Sequence, residues 1–264
     1  MQLFPDYKTF LTIGSLSIHY YAIVILAGAL MAYALGQYRF KQLGYDKGIL
    51  SDYFFGLLLL GIAGARLWYV IFMWPQYAAH PEEIIMIWHG GLAIQGGIVA
   101  GLIYSYYFFR KRNIPFLVAG DAIMPGVLIA QACGRWGNFF NREAFGSAVS
   151  LSYLKRLHLP AFIINNMYID GAYHHPTFLY ESVGNLCVFL IIILVVRHFA
   201  KHNGAQFFAY FIGYGIVRFF VEGLRTDSLM LGSIRMAQLT SVVFLAVGIA
   251  GMIYIHYKGT NKSY

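Results

Sequence analysis

The stretch Gly134-Arg135-Trp136-Gly137-Asn138-Phe139-Phe140-Asn141-Arg142-Glu143-Ala144-Phe145-Gly146 sets two arginines, a glutamate and two asparagines between glycines, directly after the apolar run 122–133. A second set, Tyr214, Arg218, Glu222 and Arg225, is spaced four, four and three residues apart. On a helix these four share one face. A guanidinium is always charged and matches the paired oxygens of a phosphate or carboxylate, so the two sets together suit an anionic ligand, phosphate above all. The plainer alternatives are a capped helix end with a turn at 134–146, and an internal ion pair between Arg218 and Glu222. Further charges lie at Arg66, within an apolar run, and at Asp121, which reads as structural.

The elements that must position these groups are membrane spans. Of the 264 residues, 59% are hydrophobic and only 11% charged, which places the chain among polytopic membrane proteins. The formal charge of +8 then belongs to basic loops rather than to nucleic-acid binding. Seven apolar runs have spanning length: 18–38, 49–73, 92–109, 116–133, 177–196, 207–224 and 236–256. Basic residues follow the first (Arg39, Lys41, Lys47), third (Arg110, Lys111, Arg112), fifth (Arg197, Lys201) and last (Lys258, Lys262). If the spans alternate, all four sets fall on one side, and the positive-inside rule makes that side cytoplasmic. The N-terminus is then outside and the C-terminus inside. The N-terminal decapeptide lacks the pattern of a cleaved signal, so the first run stays as an anchor. The expected fold is an all-α integral membrane protein of about seven transmembrane helices, one polytopic domain over 1–264. The long segment 134–176 forms a small extracytoplasmic head between spans four and five. No internal repeat is evident.

His19, His89 and His175 map to the outer half, where a histidine could serve as a base. Nothing orders a Ser-His-Asp triad, a Gly-x-Ser-x-Gly elbow or a phosphate loop. Cys133 and Cys187 lie in or beside apolar runs and have neither metal-ligand nor disulfide-framework spacing. Gly90-Gly91 and Gly96-Gly97 flank Leu92-Ala93-Ile94-Gln95, a pattern for close backbone approach or a broken helix.

The 134–146 segment closely resembles the signature of the prolipoprotein diacylglyceryl transferases. The likeness extends through Ile18-His19-Tyr20-Tyr21, Gly64-Ala65-Arg66, Trp88-His89-Gly90-Gly91, His175-Pro176-Thr177-Phe178-Leu179-Tyr180-Glu181 and Tyr214 to Arg225. The resemblance implies a multi-pass enzyme of the bacterial cytoplasmic membrane. Such an enzyme moves the diacylglyceryl group of phosphatidylglycerol onto the lipobox cysteine thiol of a prolipoprotein signal peptide. It forms a thioether and releases sn-glycerol 1-phosphate, as the first step of lipoprotein maturation, and it uses no metal or dissociable cofactor. It further implies catalytic roles for Arg135, Arg218, Glu143 and Asn138. Substrate-binding roles fall on Tyr21, Arg66, His89, Gln95, Asn141, Gly146, His175, Tyr214, Glu222 and Arg225. The substrate brings its own nucleophile, which must become a thiolate to react, so no enzyme serine or cysteine is required.

One position departs from the family pattern. Many relatives carry a histidine, proposed as general base, where this chain has Gln95. An amide takes up no proton at neutral pH. The base is then His19, His89, Tyr214 or Glu143, or the reaction uses none. A transporter with an arginine-lined anion or lipid pathway is the rival from another class. It is disfavoured because the polar residues gather toward one leaflet. A membrane scaffold with polar patches serving assembly alone fits the density of arginine poorly.

Overall fold

The computed structural model describes residues 2–3, 6–14 and 16–258, so Lys262, counted above among the basic flanks, lies outside the described residues. Short strands β1 (Gln2–Leu3), β2 (Thr9–Ile13) and β3 (Leu16–His19) form an antiparallel sheet that runs directly into α1 (Tyr20–Gln42). There follow α2 (Lys47–Phe72), α3 (Trp74–Ala79), two 3-10 turns at Pro81–Ile85 and Ile87–His89, and α4 (Ile94–Lys111). Then come α5 (Phe116–Asn141), β4 (Ala148–Val149), α6 (Leu151–Arg156), α7 (Ala161–Asn166), β5 (Tyr168–Ile169) and β6 (Ala172–His174). Helix α8 (Thr177–Ile191) passes through a π-turn, Ile192–Val196, into α9 (Arg197–Phe199). After α10 (Ala205–Leu224), the hairpin β7 (Met230–Leu231) and β8 (Ile234–Arg235) leads into α11 (Met236–Lys258).

Among the described residues six helices are long and apolar enough to cross a bilayer: 20–42, 47–72, 116–141, 177–199, 205–224 and 236–258. Helix α4, expected as a span over 92–109, forms at 94–111 but is not among them. Its Gln95, its cluster of tyrosines and its terminal Arg110 and Lys111 lower its hydropathy. Large apolar side chains such as Leu59, Phe72, Leu194 and Phe220 are left exposed, as a lipid-facing surface requires. The helices dominate, but the chain is not purely helical, because among the described residues three small sheets sit at helix ends.

The described residues divide into two compact units, residues 37–119 and the remainder. In the 37–119 unit, α2 begins at an Asp46 cap whose side chain accepts from Gly48 N at 2.6 Å. α2 packs on α4 where Gly64 and Gly96 face each other. A Cβ on Gly96 would lie 2.3 Å from the Gly64 carbonyl oxygen, so this crossing demands glycine.

In the larger unit α5 tells most about the site. The apolar pattern ended this span at 133, with the signature in a loop; the helix instead continues to Asn141. The extension is held by packing. Phe139 is buried with Leu154, Ile163, Ile164, Met167, Ile169 and Phe178, and Trp136 and Phe140 pack against this cluster. Gly137 does not break the helix; it makes room for the Tyr21 ring, which a Cβ there would meet at 2.5 Å. The same cluster gives the segment between α5 and α8 its own core, so that segment is folded rather than a slack linker. At the other end of α5, Asp121 is buried and accepts from Gly204 N at 2.7 Å and Phe207 N at 2.8 Å. Its carboxylate thereby caps α10 and fixes that helix against α5.

Candidate active site

Arg135, Arg218 and Glu181 converge from three helices of the larger unit. Glu181, on the first turns of α8, is almost fully buried. Its two oxygens meet different arginines: Oε1 lies 3.2 Å from Arg135 Nε, and Oε2 accepts from Arg218 Nη1 at 2.9 Å. Arg218 also donates through Nη2 to Glu222 Oε2 at 2.6 Å, one turn along α10. Glu222 Oε2 is 3.9 Å from Arg225 Nε, and Arg225 grips Asp227 with two parallel bonds of 2.9 and 2.8 Å. Burial works against ionisation of Asp227, but the hydrogen bonds and charge of Arg225 outweigh it and hold that carboxyl below its usual range. Arg235 adds a bond to the Glu222 carbonyl. Three arginines and three carboxylates thus form one chain from α5 through α8 to the end of α10.

The cluster is not sealed. The Arg135 side chain keeps 25% of its surface and that of Arg218 keeps 15%, against 1% for Glu181. A guanidinium carries five N–H groups, and these contacts occupy only part of them. The carboxylates hold both guanidiniums in place, and N–H groups of each are left over from these contacts. Tyr214 lies within electrostatic reach of Glu181, Arg135 and Arg218, and its ring stacks on Tyr210 with centroids 5.8 Å apart.

The signature asparagines extend the network along α5. Arg135 Nη1 donates to Asn138 Oδ1 at 3.1 Å, and Asn138 Nδ2 donates to Glu143 Oε1 at 2.9 Å. Asn141 Nδ2 reaches the same oxygen at 3.2 Å. Glu143 folds back over the helix end because Arg142 and Ala144 on either side of it take left-handed backbone angles, φ 53° and 57°. Arg142 itself turns away, donating to Asn166 Oδ1 at 2.8 Å and lying over the Tyr7 ring.

Gly146 is the seam of this region. Its N–H bonds the His175 carbonyl at 3.0 Å, it bridges to Arg225, and a Cβ there would lie 2.7 Å from the His175 Cβ and 2.9 Å from the Leu224 carbonyl oxygen. Any larger residue would push apart the starts and ends of three elements. His175 pairs its Nδ1 with the Tyr180 hydroxyl at 3.2 Å, and burial lowers its pKa, favouring the neutral ring. His19 pairs with Thr9 Oγ1 at 3.4 Å within the N-terminal sheet. Among the described residues no group of three or more His, Cys, Asp or Glu side chains is arranged to hold a metal ion.

Arg135, Asn138, Asn141, Glu143, Gly146, His175, Tyr214, Arg218, Glu222 and Arg225 therefore share one unit, with Tyr21 against Gly137 beside them. Arg66, His89 and Gln95 belong to the 37–119 unit. His89 and Gln95 are exposed there. Arg66 is buried and its guanidinium is spent on backbone: Nε on Ile84 O at 2.9 Å, Nη1 on Gly90 O at 2.6 Å and Gly91 O at 2.9 Å, Nη2 on Glu83 O at 2.5 Å. It also lies 5.0 Å from the Tyr77 ring centroid. Gly90 and Gly91, at φ 87° and 74°, supply the turn that delivers their carbonyls to it.

Glu181, the carboxylate that both arginines share, is the residue of this cluster that sequence reasoning passed over. It stood in a quoted motif, and the rule that singled out Arg218, a charge inside an apolar run, applied equally to it.

A family model described as prolipoprotein diacylglyceryl transferase matches residues 8–254. The chain belongs to the prolipoprotein diacylglyceryl transferase family. The phosphatidylglycerol–prolipoprotein diacylglyceryl transferase of Staphylococcus carnosus (strain TM300) is 49% identical over 253 residues, 96% of this chain and 91% of that one. Its counterpart in Staphylococcus haemolyticus (strain JCSC1435) is 47% identical over 251 residues, covering 95% and 88%. That of Staphylococcus aureus (strain Newman) is 46% identical over 247 residues, covering 93% and 88%. The family match spans both units, so the arginine cluster and the Arg66 loop alike fall within it.

Proposed function

We propose that this chain transfers the diacylglyceryl group of phosphatidylglycerol to the cysteine thiol of a prolipoprotein lipobox. The observation that carries this reading is the pair Arg135 and Arg218, which meet the two oxygens of one buried carboxylate while their side chains stay partly exposed. In the reaction the thiolate sulfur bonds the glycerol carbon that bears phosphate, and the C–O bond to phosphate breaks. The phosphodiester leaves as a monoester, sn-glycerol 1-phosphate, and gains one negative charge; the thiol proton is released. Two fixed guanidiniums beside those oxygens favour the transition state over the singly charged substrate. Glu181 and Glu222 hold the arginines in place before substrate arrives, so little reorganisation accompanies the charge shift.

The same positive field favours the thiolate, which reduces the need for a dedicated base. Gln95 offers none. Tyr214 and Glu143 stand in the arginine network, His89 in the 37–119 unit, and His19 in the N-terminal sheet, bound to Thr9.

The topology we infer has seven spans, with α4 as the seventh. Its 18 residues rise about 27 Å, close to the hydrocarbon thickness. Counting α4 also puts Arg39, Arg110, Arg197 and Lys258 at the same membrane face, which omitting it would not. The N-terminus and the folded 142–176 head are then extracytoplasmic and the C-terminus cytoplasmic, in a bacterial cytoplasmic membrane.

Purified protein given phosphatidylglycerol and a lipobox peptide should release glycerol phosphate and increase the peptide mass by one diacylglyceryl group per thiol. Transport of a lipid or anion across a sealed vesicle with no peptide modification would favour the transporter reading instead.

A further inference from the structure

At the opposite end of α10 from Arg218, about 20 Å along the helix, lies a cavity of about 520 Å³. Ala200, Lys201, His202 and Ala205 line one side, and Met252, Ile253, Ile255, His256 and Tyr257 of α11 line the other. The His202 and His256 rings meet edge to face, centroids 6.0 Å apart. The wall is mostly apolar and the rim is cationic. Arg197, His198 and Lys258 lie near it in the chain, and no Asp or Glu occurs between Ser182 and Val221 or between Met236 and Lys258. The carboxylate that packs at this end, Asp121, is buried behind Gly204 and accepts two N–H groups of α10.

We propose that this cavity binds the phosphate headgroup of an anionic membrane phospholipid, separately from the arginine cluster. An apolar wall that reaches the exposed Ile253 and Tyr257 and a basic rim with no Asp or Glu among its lining residues match an amphiphile with one anionic end. The volume is within the range of small-molecule sites. Lys201 supplies the charge, His256 a ring N–H, and the aliphatic side chains of α11 the contact for the first part of the acyl chains.

The full-length protein is reconstituted in phosphatidylcholine nanodiscs doped with phosphatidylglycerol, and the lipids retained on release are counted by native mass spectrometry. Wild type and Lys201→Arg should keep an anionic lipid that Lys201→Gln holds about fivefold more weakly and Lys201→Gln/His256→Ala loses, with transfer to a lipobox peptide unchanged in all of them. Equal retention by the double variant, or retention of phosphatidylcholine in its place, overturns the proposal. So does loss of transfer in step with loss of lipid, which would identify the lost lipid as substrate. Inorganic phosphate that stabilises wild type but not Lys201→Gln in undoped discs, with no anionic lipid retained in doped ones, would make this a free-phosphate site and overturn the lipid assignment. If the double variant fails to elute as wild type does, Lys201→Glu gives the same reading by charge reversal.

Discussion

Arg66 and the Arg135–Arg218 pair are arginines within helices of the same chain, and their surroundings are opposite. Arg66 is ringed by backbone carbonyls and meets no carboxylate among the described residues; its charge is absorbed by five partial dipoles of one loop. Arg135 and Arg218 face full negative charges and keep part of their surface. A carbonyl cage satisfies every N–H and fixes a fold. A carboxylate bridge orients the guanidinium and, in the proposed function, leaves N–H groups for an anionic substrate. The residue type alone does not separate architecture from chemistry; the partners do.

The largest effect should come from Arg135→Lys and Arg218→Lys. Lysine keeps the charge but loses the paired, planar donors, and transfer should fall about 100-fold or more. Insertion and thermal midpoint should change little. Near-normal turnover in either variant would show that charge alone suffices there.

Glu181→Gln comes next. It removes the shared counter-charge from both arginines, and breaking a buried pair in this way costs on the order of 3–5 kcal/mol. Thermal denaturation in detergent should show a lowered midpoint, and transfer should drop with it. A variant that melts and turns over as wild type would mean the bridge positions nothing.

Arg66→Lys sharpens the contrast most directly. Three donors cannot satisfy five carbonyls, at roughly 1–3 kcal/mol for each partner left unmade. Hydrogen exchange should speed up across 83–91, with a smaller loss of transfer than in the Arg135 variant. Abolished transfer with exchange unchanged would support the substrate-binding role that the family resemblance implies for Arg66.

Gln95→Ala should have the smallest effect. The side chain is exposed at the start of α4 and cannot take a proton. A general base contributes about 100-fold or more, so transfer within tenfold of wild type is expected. A collapse at normal expression would make Gln95 an essential orienting group.

Most spans were legible to within a few residues, because long apolar runs are the strongest signal a sequence carries. The miss at α5 has a local cause. Gly134 and Gly137 look like punctuation, whereas packing against Tyr21 and Phe178 continues the helix. The strands of the three sheets are two to five residues long, too short for any periodicity to register. Asp121, read as structural, caps α10. The plainer reading of Arg218 paired it with Glu222, four residues on and on the same helix face, and that pair forms. Glu181, thirty-seven residues back, is the one that joins it to Arg135, and that contact follows only from the way α5, α8 and α10 pack.

The bridge at Glu181 also bears on how the protein is made. A lone charged residue adds to the cost of moving a helix from translocon to lipid, about 2.5–3.5 kcal/mol at the helix centre and less toward its ends. Helix α8 carries such a residue in Glu181, and α10 carries its partner in Arg218, with a connection of only five residues, 200–204, between α9 and α10. Inserted together, the two charges neutralise each other as they leave the aqueous pore. The hairpin, rather than either helix, is then the unit of integration: a nascent chain truncated near residue 204 should integrate α8 less completely than one extended past 224, and equal integration of both would show that α8 partitions alone.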